Sequence, residues 1–151
     1  MQGLATDEKR ALADALNDLE AAKQRVTRDA RAAAEDMKKQ LVEQLLPVLD
    51  NLDRTIAAAD AAGDSQAVIQ GVLLVRQQLE GVLRGYGVER IDAQDLDFDP
   101  AIHEAVTTTY VPTIALHDTV IDQLSPGYRF NGALLRPARV VVGRMHAGRV
   151  A

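Results

Sequence analysis

Three histidines, His103, His117 and His146, and an excess of carboxylates are the side chains here best suited to chemistry. His103 is followed by Glu104 but by no second histidine one helical turn later, so the paired imidazoles of a zinc-binding helix are missing. The three histidines are scattered, and His103 reads as a residue that packs or caps within its own segment. Asp97 and Asp99 could act as paired carboxylates. They alternate with Leu96 and Phe98 just ahead of Pro100, a pattern that favours turns over acid–base work. Ser65 and Ser125 have no recognisable base partner. No G-x-x-x-x-G-K-S/T segment exists to cradle phosphates. Cysteine is absent, which excludes disulfides, thiolate zinc sites and cysteine nucleophiles. The residues point away from an enzyme and require no metal or cofactor.

The elements that would position any binding residues are easier to read. Hydrophobic content is 47% but aromatic content only 3%, which favours helices packed through Ala, Leu and Val. Over the first sixty residues Leu12, Leu16, Leu19, Val26, Ala30, Ala34, Met37, Leu41, Leu45, Val48, Leu52 and Ile56 recur mostly at gaps of three or four, the period of one helix face. The steps 34–37–41–45–48 lie nearer an eleven-residue repeat than a heptad and predict a nearly straight or slightly right-handed pairing. A helix from about residue 5 to 61 would reach roughly 85 Å at about 1.5 Å per residue, so it must pair, most simply with an identical chain. Pro47 should kink or loosen it. Residues 60–65 read as a C-cap glycine followed by a new N-cap. A second helix over about 66–85 carries Val68, Val72, Val75, Leu79, Val82 and Leu83. It is interrupted by Gly71 and Gly81, for which tight helix–helix approach is the motive, and ended by Gly85 and Gly87.

From Val88 the period changes. Strands are expected over 88–91, 105–111, 119–122, 128–130, 133–135 and 140–142, with an acidic loop from Asp92 to Asp99. Asn131-Gly132 between apolar runs predicts a tight hairpin, and Pro137 an edge or a bulge. The fold class is therefore α+β: a long helix (1–62) forming a paired coiled coil, a short helix (63–87) completing a dimeric four-helix bundle, a small, mostly β domain (88–143) and a flexible tail (144–151). Charge is unevenly spread in a chain of net −5. Residues 89–122 are acidic apart from Arg90, whereas residues 123–151 hold five arginines and no acid. The balance argues against nucleic-acid binding, while the basic strands could meet an acidic partner. No apolar run reaches the roughly 18 residues of a membrane span, and the N-terminus has no basic and apolar leader, so a soluble cytoplasmic protein is expected.

Four motifs appear in order. Leu45-Leu46-Pro47-Val48-Leu49-Asp50-Asn51-Leu52-Asp53-Arg54 lies on the long helix, and Tyr86-Gly87-Val88-Glu89 enters the β-domain. Phe98-Asp99-Pro100-Ala101-Ile102-His103-Glu104-Ala105-Val106 follows, then Gly127-Tyr128-Arg129-Phe130-Asn131-Gly132-Ala133-Leu134-Leu135-Arg136-Pro137-Ala138-Arg139-Val140-Val141-Val142. Together they resemble the GrpE family of nucleotide exchange factors, over about residues 18–143. The resemblance departs at Ala133, where the family often has a chaperone-facing Arg. It departs again at residues 20–25, which lack the family's aromatic and basic stretch. The family's usual acidic extension is not seen ahead of the long helix.

The resemblance implies a homodimer whose β-domain docks on the nucleotide-binding domain of a DnaK-type chaperone and wedges it open, with no catalytic group. It implies that Arg129 and Arg139, on a basic hairpin, face the partner. Arg136 either joins them or holds the hairpin through a salt bridge to the acidic loop. Asn131 and Gly132 serve the turn and touch the partner as a consequence. Gly87 is a helix-to-strand hinge needing positive φ. Lys23, Arg25 and Arg28 are either secondary contacts or a solvated helix face. Leu45, Val48, Leu49, Leu52, Val72, Val75 and Leu79 are the bundle-core and dimer residues. A different reading is a structural coiled-coil adaptor that keeps this fold without exchange activity.

Overall fold

The structure, a computed structural model, describes residues 2–63 and 65–145; the expected tail over 146–151 lies outside them. Two helices are followed by six strands: α1 (Gln2–Ala62), α2 (Gln66–Gly85), β1 (Val88–Ile91), β2 (His103–Tyr110), β3 (Val120–Ser125), β4 (Gly127–Phe130), β5 (Ala133–Arg136) and β6 (Ala138–Arg144). The expected α+β class is found. Every predicted strand forms, that over 88–91 with the expected ends and the others with shifted ones.

Helix α1 is continuous for 61 residues and runs through Pro47 without interruption. The ring removes one backbone hydrogen bond, and the helix former residues around it carry the helix on. The chain groups into two compact units, Met1–Leu41 and Val42–Ala151, so the boundary falls inside α1. In the first unit Leu12, Leu16, Leu19, Val26, Met37 and Leu41 are all between 57% and 71% exposed. In the second, Val42, Leu46 and Leu49, spaced by four and three, are buried. Gly63, at φ 70°, ends α1 in the left-handed conformation expected of it. Ser65 is the N-cap of α2, but its side chain makes no capping bond; its carbonyl accepts from Val68 and Ile69 instead. The expected close approach at Gly71 and Gly81 is not made within the chain. A Cβ at either position would meet nothing within 4 Å.

The strands form two three-stranded sheets, ordered β1-β4-β5 and β2-β6-β3. The first is antiparallel. In the second, β2 runs parallel to β6 and β3 antiparallel to it. The chain crosses between sheets three times: after β1, at Pro126 between β3 and β4, and at Pro137 between β5 and β6. Pro137 follows β5, an edge strand of its sheet, and the β4–β5 register shifts at Leu135 just ahead of it, so the expected edge and bulge both lie beside it. A residue without an N–H ends one ladder and the next strand joins another.

Each sheet has its own core. Tyr128, Phe130 and Val88 of the first sheet pack with Val42, Leu46 and Leu49 of α1 and Leu83 of α2. The second is built on Ile91, Ala93, Val120, Ala138, Val140 and Val142, with Phe98 and Ile102 against it. Burying a side chain of this size contributes about 1.5–3 kcal/mol. The first core therefore unites α1, α2 and sheet β1-β4-β5 energetically. The loop from Asp92 to Asp99 is stitched along the edge of β3, through Asp95 N–H to the Val120 carbonyl (3.0 Å), Val120 N–H to Leu96 (2.8 Å) and Phe98 N–H to Asp118 (2.8 Å).

Candidate functional site

The feature with the geometry of a docking site is the β4–β5 hairpin. Asn131 (φ 49°) and Gly132 (φ 81°) both take positive φ, as the expected two-residue turn requires, and both are exposed. The turn is seated against the helix-to-strand hinge. Gly87 has φ 87°, its carbonyl accepts from the Asn131 N–H at 2.9 Å, and a Cβ on it would overlap the Asn131 side chain. Two segments that are separate motifs in the sequence thus form one joint, and glycine is needed at 87 for its conformation.

The three strand arginines do not share one face. Arg129 sits half-buried on β4, in register with Glu89 of β1. Arg139 lies on β6, in the other sheet, and its Nε stands 3.7 Å from Glu104 of β2 with both side chains more than half exposed. The expectation of a single basic hairpin is corrected by the crossover at Pro137. Arg136 does form an anchoring salt bridge, but to the long helix and not to the acidic loop. Its guanidinium donates two bonds to Asp50, at 2.6 and 2.7 Å, and a third from Nε to the Pro126 carbonyl at 3.1 Å. It also lies over the Tyr128 ring, 5.2 Å from the centroid.

A second set of charges stands one helical turn along. Asp53 of α1 pairs with Arg76 of α2 (2.6 Å) and with Arg90 of β1 (3.2 Å). Glu80 of α2 pairs with the same two arginines (3.2 and 2.9 Å). Arg90 Nε also donates to Asp92 at 2.8 Å. Burial penalises the Arg90 charge, yet the Asp92 hydrogen bond and the neighbouring negative groups raise its pKa above the ordinary value. Burial likewise opposes ionisation of Asp92, but hydrogen bonds from Arg90 and Gln123 hold its carboxyl below the usual range. Burial pushes the Tyr128 hydroxyl up to about 12, against the pull of Arg90.

The remaining candidates have structural settings of their own. His103 is 4% exposed, and its Nδ1 accepts the Asp99 N–H at 3.0 Å, the capping role expected of it. Asp99 in turn accepts from the Ala101 N–H at 2.9 Å, an Asx turn. His117 Nδ1 accepts from the Met145 N–H, and His146 lies outside the described residues. Lys23 and Arg28 line a shallow depression on α1 with Glu20, Thr27 and Arg31, and Arg25 stands off it. Leu49 is completely buried within its own chain. Leu45 and Leu79 are half-buried against the same core, and Leu52 and Val72 are half-buried too. Val48 and Val75 are exposed, as are Val68 and Val82 on α2. The sequence reading missed Asp50, Asp53, Arg76 and Glu80. The available signal was a pair of acids at i, i+3 beside the apolar stripe of α1, with Arg90 as the lone base of an acidic segment and Arg136 in a segment free of acid.

A family model described as GrpE matches residues 2–144. Among curated relatives, Protein GrpE of Alcanivorax borkumensis is 36% identical over 144 residues, 95% of this chain and 73% of the relative. Protein GrpE of Saccharophagus degradans is 40% identical over 136 residues, 89% of this chain and 68% of the relative. Protein GrpE of Bacillus velezensis is 31% identical, with 95% of this chain and 75% of the relative covered.

Proposed function

Since the chain belongs to the GrpE family, we propose that it is a nucleotide exchange factor: it binds the nucleotide-binding domain of a DnaK-type chaperone, opens the cleft and speeds ADP release. The observation that carries this reading is the exposed Asn131-Gly132 turn, seated on a sheet whose core is shared with two helices. A wedge must present a defined tip on a support that does not yield. Arg129, Asn131 and Gly132 form that tip. Arg139 extends the basic surface from the neighbouring sheet, and Lys23, Arg25 and Arg28 make secondary contacts from α1.

The mechanism needs no catalytic group, metal or cofactor on this chain. The factor binds the open chaperone better than the closed, ADP-bound one, and linkage requires that ADP weaken binding of the factor by the same ratio. A few hundredfold corresponds to about 3 kcal/mol of differential contact.

The acting species is a homodimer in the cytoplasm. The exposed apolar stripe of α1, together with Val48, Val68, Val75 and Val82, is more than a solvated helix presents to water. Leu45, Leu49, Leu52, Val72 and Leu79 back that surface from within the chain. Among the described residues no helix is long and apolar enough to cross a membrane.

Stopped-flow release of a labelled ADP from the cognate chaperone tests the exchange reading. Acceleration that saturates with added protein is expected, and no acceleration at saturation overturns it. That negative outcome favours the adaptor reading, which Ala133 motivates by standing where the family often has a partner-facing Arg. Sedimentation tests the dimer, since a monomer at micromolar concentration would remove it.

A further inference from the structure

We infer that Asp50 and Asp53 of α1 are positioning residues for exchange. Through Arg136 and Arg90 they clamp sheet β1-β4-β5 to the helices, so that force on the Asn131-Gly132 tip is transmitted and not lost in rotation of the sheet. This rests on the exchange reading above.

The two clamps are one turn apart on α1 and hold different strands. Asp50 takes the fork of Arg136 on β5, at 2.6 and 2.7 Å. Asp53 and Glu80 take Arg90 on β1, at 3.2 and 2.9 Å. Arg76 ties the same two acids together from α2. The Tyr128 side chain of β4, the middle strand, is 1% exposed beneath both clamps. The paired side chains are themselves only 19–27% exposed, so solvent screens them less than surface pairs. A two-toothed guanidinium–carboxylate contact fixes angle as well as distance. Apolar packing in the shared core holds the sheet against the helices, but its driving force is non-directional and defines the sheet's angle less closely than a directional contact does. Two directional contacts on opposite edge strands of a three-stranded sheet fix that angle. Arg136 is thereby turned inward, toward its own helix and the Pro126 carbonyl, and acts through the sheet.

Absence of cysteine permits spin labels at Gln77→Cys on α2 and Ala133→Cys on β5, both exposed. Labelled chains diluted into unlabelled protein report the distance distribution within one chain. The expected result is a narrow distribution for the parent, and one about twofold broader in Asp50→Ala, as for a hinge released. Saturating ADP-release rate should fall about tenfold in Asp50→Ala, with the half-saturating concentration within about twofold, because loss of positioning acts on the step after docking. Asp50→Ala leaves Arg136 unpaired and could cost stability, so Asp50→Ala/Arg136→Met supplies the control. An apolar pair restores stability at such a site, and this variant should melt like the parent yet stay broad and slow. Arg136→Lys, which keeps the charge but loses the fork, should resemble Asp50→Ala. An unbroadened distribution overturns the clamp, as does an unchanged saturating rate or a rise in half-saturation alone. A parent protein that never speeds ADP release overturns the exchange reading first.

Discussion

At Gly127, β4 runs against the crossover from β5 to β6. A Cβ there would stand 2.6 Å from the Ala138 N and 3.0 Å from the Arg136 carbonyl oxygen and the Pro137 carbonyl carbon, all backbone atoms. Backbone cannot swing aside as a flexible side chain can, so Gly127→Ala is expected to cost about 3 kcal/mol. A fall in the urea midpoint at unchanged slope measures it, and an unshifted midpoint would contradict the crossing. Tyr128, the next residue, gives a prediction in pH. Burial raises the pKa of its hydroxyl from 10.0 to about 12 in the folded chain. The neutral form is thus favoured by folding. Its contribution is complete below the unfolded value of 10.0 and is lost as pH rises through about 12. In a Tyr86→Phe/Tyr110→Phe background, tyrosinate absorbance should rise near 12, and a single step at 10 would refute the burial argument.

Among the elements, α2 divides most sharply by face. Ile69 and Leu83 are buried and Val72 and Leu79 half-buried, whereas Val68, Val75 and Val82 recur every seven residues in the open. Gly71 lies on the open side, with nothing of its own chain within 4 Å of where a Cβ would stand. Helix propensity alone would favour Ala there by about 1 kcal/mol. If the open stripe receives a second copy, a methyl group added at this position crowds that partner. Gly71→Ala should then raise the dimer dissociation constant about tenfold, or about 1.4 kcal/mol. Sedimentation over a concentration series reads the sign. Tighter association would mean that no partner packs at residue 71.

For the whole molecule, the division of α1 at Leu41 and Val42 sets two stabilities. The segment up to residue 41 has its apolar stripe exposed within the chain and rests on local hydrogen bonds, which are marginal in an isolated helix. Beyond it, α1 shares a core with α2 and the first sheet. Two thermal transitions are therefore expected. A lower, reversible one should be seen in far-UV circular dichroism, with a midpoint that rises with protein concentration as dimerisation requires. A higher one should be reported by the near-UV signal of Tyr128. One cooperative transition in both signals would refute the division.

Most of the elements were legible in the sequence because they depend on local rules. The three-or-four spacing from Leu12 to Ile56 predicts α1, Gly63 ends it by its freedom at positive φ, and Asn131-Gly132 prescribes its turn whatever surrounds it. The four ordered motifs were likewise enough for the family. What the sequence left open depends on which distant residues meet. Pro137 was readable as an edge or a bulge, but that β6 leaves the hairpin's sheet, carrying Arg139 away from Arg129, follows from where the broken ladder finds its next partner. Arg136 was readable as an anchor, but its choice of Asp50, eighty-six positions away, over the nearby acidic loop was settled by packing. The loop's backbone is taken up along β3, and Tyr128 brings the guanidinium over the helix. Local propensity acts through neighbours in the chain and can be read along it. Ion pairs and sheet order act through space, and only the folded core brings their members together.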